Sequence, residues 1–224
     1  MMRLTLGCPT LRRYDLLEKM IISAQTGTRA PERFMVVDNG GSLAPGEALR
    51  CLALDIHVPG ENLGCARSWN LMARHVLLTD DDALLIAADD VLFEPDTIGS
   101  ALRVMEDGDF DFVTPEPGGF SCFLVRKRLF EKVGWFDEQF WPAYYEDNDF
   151  HRRMTLSGIT SEARAPGRYV HVNNGSQTVA SFSRDERMEH HRRFDSNRDR
   201  YVAKWGGLPH CETFIVPYNG IGSE

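Results

Sequence analysis

Two groups of carboxylates stand at the ends of patterned segments. Asp89 and Asp90 close the apolar run Ala83-Leu84-Leu85-Ile86-Ala87-Ala88, and Glu146-Asp147-Asn148-Asp149 opens a helical pattern. A run with no polar alternation reads as a strand buried on both faces. Open α/β sheets bind ligands at the carboxyl ends of such strands. Oxygen ligands there suit a hard divalent cation and, through it, a diphosphate. The first pair therefore points to a nucleotide-linked substrate.

The second group follows a stretch rich in large apolar residues: Trp135, Phe136, Phe140, Trp141, Tyr144 and Tyr145. Carboxylates beside such a wall acquire raised pKa values and act as general bases. Acids in a first turn also suit the positive end of the helix dipole, and Asp149 and Arg153 have the spacing of a surface ion pair. The aromatic residues fit stacking on a sugar or base as well as core packing. His171 fits a hydrogen-bonded strand residue as well as a phosphate or metal contact. Polar Val172-Asn173-Asn174-Gly175-Ser176-Gln177-Thr178 after it suits a loop over a diphosphate.

The elements that must position these groups alternate. Strands are expected at Arg3–Cys8, Arg33–Val37 and Asp55–Val58, and helices at Arg12–Gln25, within Leu43–Leu54, and at Leu63–Leu77 with Asn62 as cap. Pro95 suits the first turn of a helix reaching Glu106. This βαβαβ order predicts a mostly parallel, Rossmann-like sheet flanked by helices. Beyond it, Phe110–Thr114, Phe120–Val125, Ile159–Ala163 and Arg168–Val172 read as strands, and Lys127–Val133, Tyr145–Leu156 and Ser183–Trp205 as helices. A single domain is expected: a half over 1–93 that binds the nucleotide-linked substrate, an irregular half over 94–207 that carries the candidate base, and a tail over 208–224.

Bulk properties narrow the class. The 224 residues suffice for one substantial core, and the net charge of −8 argues against a surface that coats nucleic acid. The basic residues of the late helix, Arg187, His190, His191, Arg192, Arg193, Arg198 and Arg200, alternate with acids and read as a solvated face. No apolar stretch is long enough to span a bilayer, and no signal peptide is evident. Five cysteines without redox or metal spacing read as reduced thiols, so a cytoplasmic protein is expected.

The chain resembles family 2 glycosyltransferases, in particular small bacterial or phage members. Asn62, Gly64, Ala66 and Asn70 match the family's N-x-G-x-A-x-x-x-N stretch. Ala88-Asp89-Asp90 falls at its metal-binding D-x-D motif. Gly134-Trp135-Phe136-Asp137-Glu138 with Glu146-Asp147-Asn148-Asp149 and Arg153 resembles its G-x-F-D-E … E-D-x-D-x-x-x-R block. Asn197-Arg198-Asp199-Arg200-Tyr201 and Lys204-Trp205-Gly206 resemble a C-terminal motif. The matches span most of 3–207, and their order and spacing carry more weight than any one of them.

The resemblance implies a GT-A fold and inverting transfer of a sugar from a nucleoside diphosphate to a soluble acceptor hydroxyl, assisted by Mn²⁺ or Mg²⁺. It places Pro9, Thr10 and Asp38 at the nucleotide, Asn62 and Asn70 around its pocket, and Asp89 at the nucleotide-sugar. Asp90 would bind the metal bridging the diphosphate, and His171 would be a further metal ligand or a diphosphate contact. Asp147 would be the catalytic base, with Glu146 as its substitute. The sequence departs from the family at Ala88, where the first D-x-D acid should stand. The acceptor class stays open between a saccharide, a protein, a small molecule and a modified nucleobase. A pyrophosphorylase is disfavoured because Gly7-Cys8-Pro9-Thr10-Leu11-Arg12-Arg13 is too poor in glycine. A non-catalytic nucleotide-sugar or glycan-binding module on the same fold is the alternative that Ala88 supports.

Overall fold

A computed structural model of the chain describes residues 2–50, 52–159, 162–172 and 176–220. Cys51, the loop residues Asn173, Asn174 and Gly175, and the last four residues of the expected tail lie outside them. In chain order the elements are β1 (Leu4–Thr10), α1 (Tyr14–Gln25), β2 (Arg33–Asp38), α2 (Glu47–Arg50), β3 (Leu54–His57), α3 (Gly64–Leu77), β4 (Ala83–Ala87) and β5 (Val91–Phe93). Then come α4 (Thr97–Asp107), β6 (Phe112–Glu116), β7 (Cys122–Arg126), α5 (Lys127–Val133), α6 (Glu146–Leu156), β8 (Glu162–His171), α7 (Gln177–Ala180) and α8 (Arg184–Trp205).

The strands form one sheet in the order β3-β2-β1-β4-β7-β6-β8-β5. The β3-β2-β1-β4 portion is parallel throughout, as the βαβαβ pattern requires. β7 runs antiparallel to both β4 and β6, and β5 antiparallel to β8, while β6 and β8 are parallel. Every residue of β4 is buried, so the apolar run is the strand it reads as. One apolar layer joins α1 and α4 to one face through Leu17, Met20, Ile21, Ile98, Leu102 and Met105. A second layer joins α3, α5 and α6 to the other through Trp69, Met72, Leu129, Phe130, Phe150 and Met154.

Four local expectations change. Pro95 precedes its helix instead of entering the first turn: Asp96 is the N-cap, and the Pro95 carbonyl accepts from Thr28 N at 2.7 Å. The N-cap of α3 is Leu63; Asn62 instead accepts from Gly64 N at 2.9 Å through its side chain. Val91–Phe93 is a strand, short enough to escape pattern reading. The two late strands are one, β8, although residues 160 and 161 of the expected Ile159–Ala163 segment lie outside the description. The strand passes Pro166 and Gly167 by a register shift opposite Pro115/Glu116. Gly167 is needed there, since a Cβ would lie 2.6 Å from Thr97 Cα.

Candidate active site

The parallel register aligns the carboxyl ends of the first strands. Thr10, last in β1, stands opposite Asp38, last in β2, and Asp89 and Asp90 follow β4. Thr10 Oγ1 donates to Asp89 Oδ2 at 2.7 Å. Burial, reinforced by the charge of Asp90, pushes the Asp89 carboxyl up to about 7 despite that bond. The antiparallel β5–β8 ladder pairs Val91 with His171, which brings the imidazole to Asp90. His171 Nδ1 lies 3.3 Å from Asp90 Oδ1, yet it is buried and has no hydrogen-bond partner among the described residues. Asp90 Oδ2 accepts from Gln177 N at 3.1 Å.

The unpartnered nitrogen beside a carboxylate oxygen is a fitting donor pair for Mn²⁺ or Mg²⁺. No group of three or more His, Cys, Asp or Glu among the described residues is placed to hold an ion by itself. Two protein donors with the rest supplied by phosphate oxygens and water is the usual arrangement for a cation bound with a nucleotide.

The second acidic group begins α6 after an unusual turn. Tyr144 and Tyr145 both adopt left-handed backbone conformations, with φ of 77° and 71°. Such geometry costs a non-glycine residue about 1–3 kcal/mol and clusters at functional sites. It delivers Glu146 into a buried position, 4 % exposed, with Oε2 lacking a hydrogen-bond partner among the described residues. Burial and the neighbouring charge of Asp147 hold the Glu146 carboxyl well above the ordinary range. The Cys65 thiol makes a side-chain hydrogen bond with Glu146 that partly offsets this. Burial also raises Asp147, against backbone hydrogen bonds including Asn148 N to Oδ1 at 2.8 Å.

Both acidic groups line one cleft of about 760 Å³. Pro9, Thr10, Asn62, Asp89, Asp90, Glu146, Asp147 and His171 all face it, as do Asn39, Gly40, Cys65, Trp141 and Tyr144. The N-terminal half of α8 adds Glu186, Glu189, His190 and Arg193. Arg12 Nη2 meets Glu186 Oε1 at 2.6 Å, joining the β1–α1 loop to α8. Tyr144 Oη lies 3.0 Å from His190 Nε2, and the Arg193 guanidinium sits 5.0 Å from the Trp141 ring centroid. Part of the basic face of the late helix is thus cleft wall.

Two expected site residues do not line the cleft. Asp38 is fully buried, and its carboxylate accepts from Tyr14 Oη at 2.8 Å, Gly40 N at 3.1 Å and Leu43 N at 2.8 Å. Those bonds hold the turn that carries Asn39 and Gly40 into the cleft. Asn70 accepts from Phe136 N and donates to the Phe136 carbonyl, both at 2.9 Å, so it shapes the pocket from behind by fixing the loop after α5. The expected surface pair Asp149–Arg153 is instead buried: Asp149 is 0 % exposed and also receives Trp205 Nε1 at 2.9 Å and Lys204 Nζ at 2.6 Å. Asn39 escaped sequence reading. Its Oδ1 accepts from Leu63 N at 2.8 Å and its amide donates to Ser68 Oγ at 3.1 Å, and the Asp38-Asn39-Gly40 turn was its only signal.

No family model matches the chain. A galactofuranosyl glycosyltransferase of Leishmania donovani is 32% identical over 74 residues, 33% of this chain and 17% of that protein. The fold is similar to that of S. aureus TarS in complex with UDP-GlcNAc, with a TM-score of 0.62 at 13% identity over 90% of this chain and 66% of the other. It is equally similar to the mannosyltransferase PcManGT from Pyrobaculum calidifontis in complex with GDP-Man and Mn²⁺, with a TM-score of 0.62 at 17% identity over 93% and 66%. The chain therefore spans less than two thirds of each of these proteins. The architecture is the GT-A type of these glycosyltransferases.

Proposed function

We propose that the chain is a glycosyltransferase that moves a sugar from a nucleoside-diphosphate donor to an acceptor hydroxyl with inversion. The observation that carries this reading is the sharing of one cleft by two differently equipped carboxylate groups. Asp90 and His171 are suited to hold Mn²⁺ or Mg²⁺ against the diphosphate, and Asp89, tied to Thr10, borders the same end. A divalent ion held by Asp90 and His171 would supply positive charge opposite the departing diphosphate. Pro9, Thr10, Asn39, Gly40 and Asn62 surround the nucleotide, with Asp38 and Asn70 supporting them from behind.

Asp147 accepts the proton of the acceptor hydroxyl as that oxygen attacks the anomeric carbon. Its raised pKa brings its basicity closer to the pH at which it works. Glu146, buried with a free acceptor oxygen, is the substitute base or a hydrogen-bond partner of the acceptor. The walls Trp141, Tyr144 and His190 border the acceptor end. No helix among the described residues is long and apolar enough to cross a membrane. A soluble saccharide, protein, small molecule or modified nucleobase is the acceptor class we favour, in a cytoplasmic, single-domain protein.

The test is release of nucleoside diphosphate from UDP-GlcNAc and GDP-Man with Mn²⁺, water serving as acceptor. Release that needs the metal and is lost in Asp147→Asn supports transfer chemistry. Ala88 at the first D-x-D position favours one competing reading, a binding module that has lost catalysis. Donor binding with no release under any acceptor would establish it.

A further inference from the structure

The carboxamide of Asn197 spans the loop that precedes the second acidic group. Asn197 is 3 % exposed, in the buried half of α8. Its Nδ2 donates to the carbonyls of Trp141 at 3.3 Å, Ala143 at 2.9 Å and Tyr144 at 3.3 Å. Those carbonyls belong to the segment that turns left-handed at Tyr144 and Tyr145 and then delivers Glu146 and Asp147. The Tyr145 ring is held on the same helix, with centroids 5.5 Å from Phe194 and 5.5 Å from Tyr201. One turn further on, Lys204 and Trp205 both meet Asp149.

We infer that Asn197 is a positioning residue: its amide holds the 141–145 segment in its strained conformation and so fixes Glu146 and Asp147 in the cleft. The inference rests on the transfer reading for its catalytic consequence, but its structural content stands apart from it. A strained turn persists only where its surroundings over-determine it. Tyrosine gains nothing from positive φ, so the constraint must come from outside the segment. One amide donor shared among three carbonyls supplies it without touching either acid. The arrangement also gives a physical role to Asn197 and Tyr201, the two buried ends of that motif, which meet the 141–145 segment and do not line the cleft.

The test begins with Asn197→Ala and Asn197→Leu, the second keeping apolar volume so that α8 stays docked. Hydrogen exchange is followed in peptides covering 141–149 and, as reference, 64–77. The expected result is exchange faster by about tenfold or more in the first peptide with the second unchanged. Ser196→Ala, on the exposed side of the same helix, should change neither. With UDP-GlcNAc or GDP-Man as donor, turnover in both Asn197 variants should fall by about 10²-fold, the scale of a catalytic group misplaced by an ångström. Donor KM should stay within a few-fold.

A strain-relief pair then separates positioning from bulk stability. Tyr144→Ala and Tyr144→Gly both delete the ring, but only glycine accepts the left-handed backbone freely. In the Asn197→Leu background the glycine variant should exchange more slowly at 141–149, and turn over faster, than the alanine variant. Unchanged exchange in both Asn197 variants, or equal behaviour of the two Tyr144 variants, overturns the inference. If wild-type protein releases no diphosphate while the exchange results appear as expected, the clamp stands and the transfer reading fails.

Discussion

His171 Nδ1 and Asp90 Oδ1 lie 3.3 Å apart, and among the described residues the imidazole nitrogen has no hydrogen-bond partner. Two such donors left facing each other, at the edge where β8 meets β5, have the disposition of ligands awaiting a third participant. Mn²⁺ together with UDP or GDP should raise the melting temperature more than either does alone. Saturation at one hundred times Kd corresponds to about 2.7 kcal/mol. Asp90→Asn and His171→Ala should abolish the metal-dependent part and leave the unliganded melting temperature nearly unchanged. An identical Mn²⁺ response in wild type and both variants would sink the metal assignment.

Glu146 predicts a pH dependence of stability. Its folded-state pKa is raised by burial, so the folded chain binds the Glu146 proton more tightly than the unfolded chain does. Stability from this group is fully present below the ordinary carboxylate pKa and is lost as pH rises through it toward the folded value. Glu146→Gln removes the ionisation and keeps the shape. The variant should match wild type near about pH 4 and melt at a higher temperature near about pH 8. Thermal melts of the two proteins across that range check the sign; a variant less stable at high pH would contradict it.

Asp147→Asn should lower turnover by at least about 10²-fold with donor affinity within a few-fold of wild type, as removal of a general base requires. The acid limb of the wild-type rate profile should lie above the ordinary carboxylate range, because burial raises this group. Steady-state rates of diphosphate release against pH measure both. If Glu146→Gln loses activity and Asp147→Asn does not, the base is Glu146.

Asp38 should act first on stability. Asp38→Ala removes a buried carboxylate that accepts from Tyr14 Oη, Gly40 N and Leu43 N, three partly buried donors. A net hydrogen bond is worth about 0.5–1.5 kcal/mol, so losing three should show as a clear loss in urea unfolding without nucleotide. A variant as stable as wild type but poor in nucleotide binding would return Asp38 to a direct contact.

The order of the elements from β1 to β4 and the placement of both acidic groups at element ends were legible in the residues themselves. The unbroken apolar run of β4 and the 3.6-residue pattern of α1 and α3 are local signals, and burial enforces them. Asp89, Asp90, Glu146 and Asp147 were legible as candidates from their places at element ends, whereas Pro9, Thr10, Asn62 and His171 became candidates through the family resemblance; all eight line the cleft. Only the tertiary structure set His171 beside Asp90, since that contact follows from the register of β8 on β5, a pairing of distant segments that no local pattern encodes. It also turned the Asp38 carboxylate inward, where Tyr14 Oη of α1 and the Gly40 and Leu43 amides of its own turn claim it. The role of α8 was likewise hidden. Its buried residues are just Asn197, Tyr201, Lys204 and Trp205, too few and too polar for a clear apolar face. The left-handed pair Tyr144–Tyr145 carries no residue-type signal at all, because tyrosine does not favour that geometry; packing and hydrogen bonds from a helix some fifty residues away decide it.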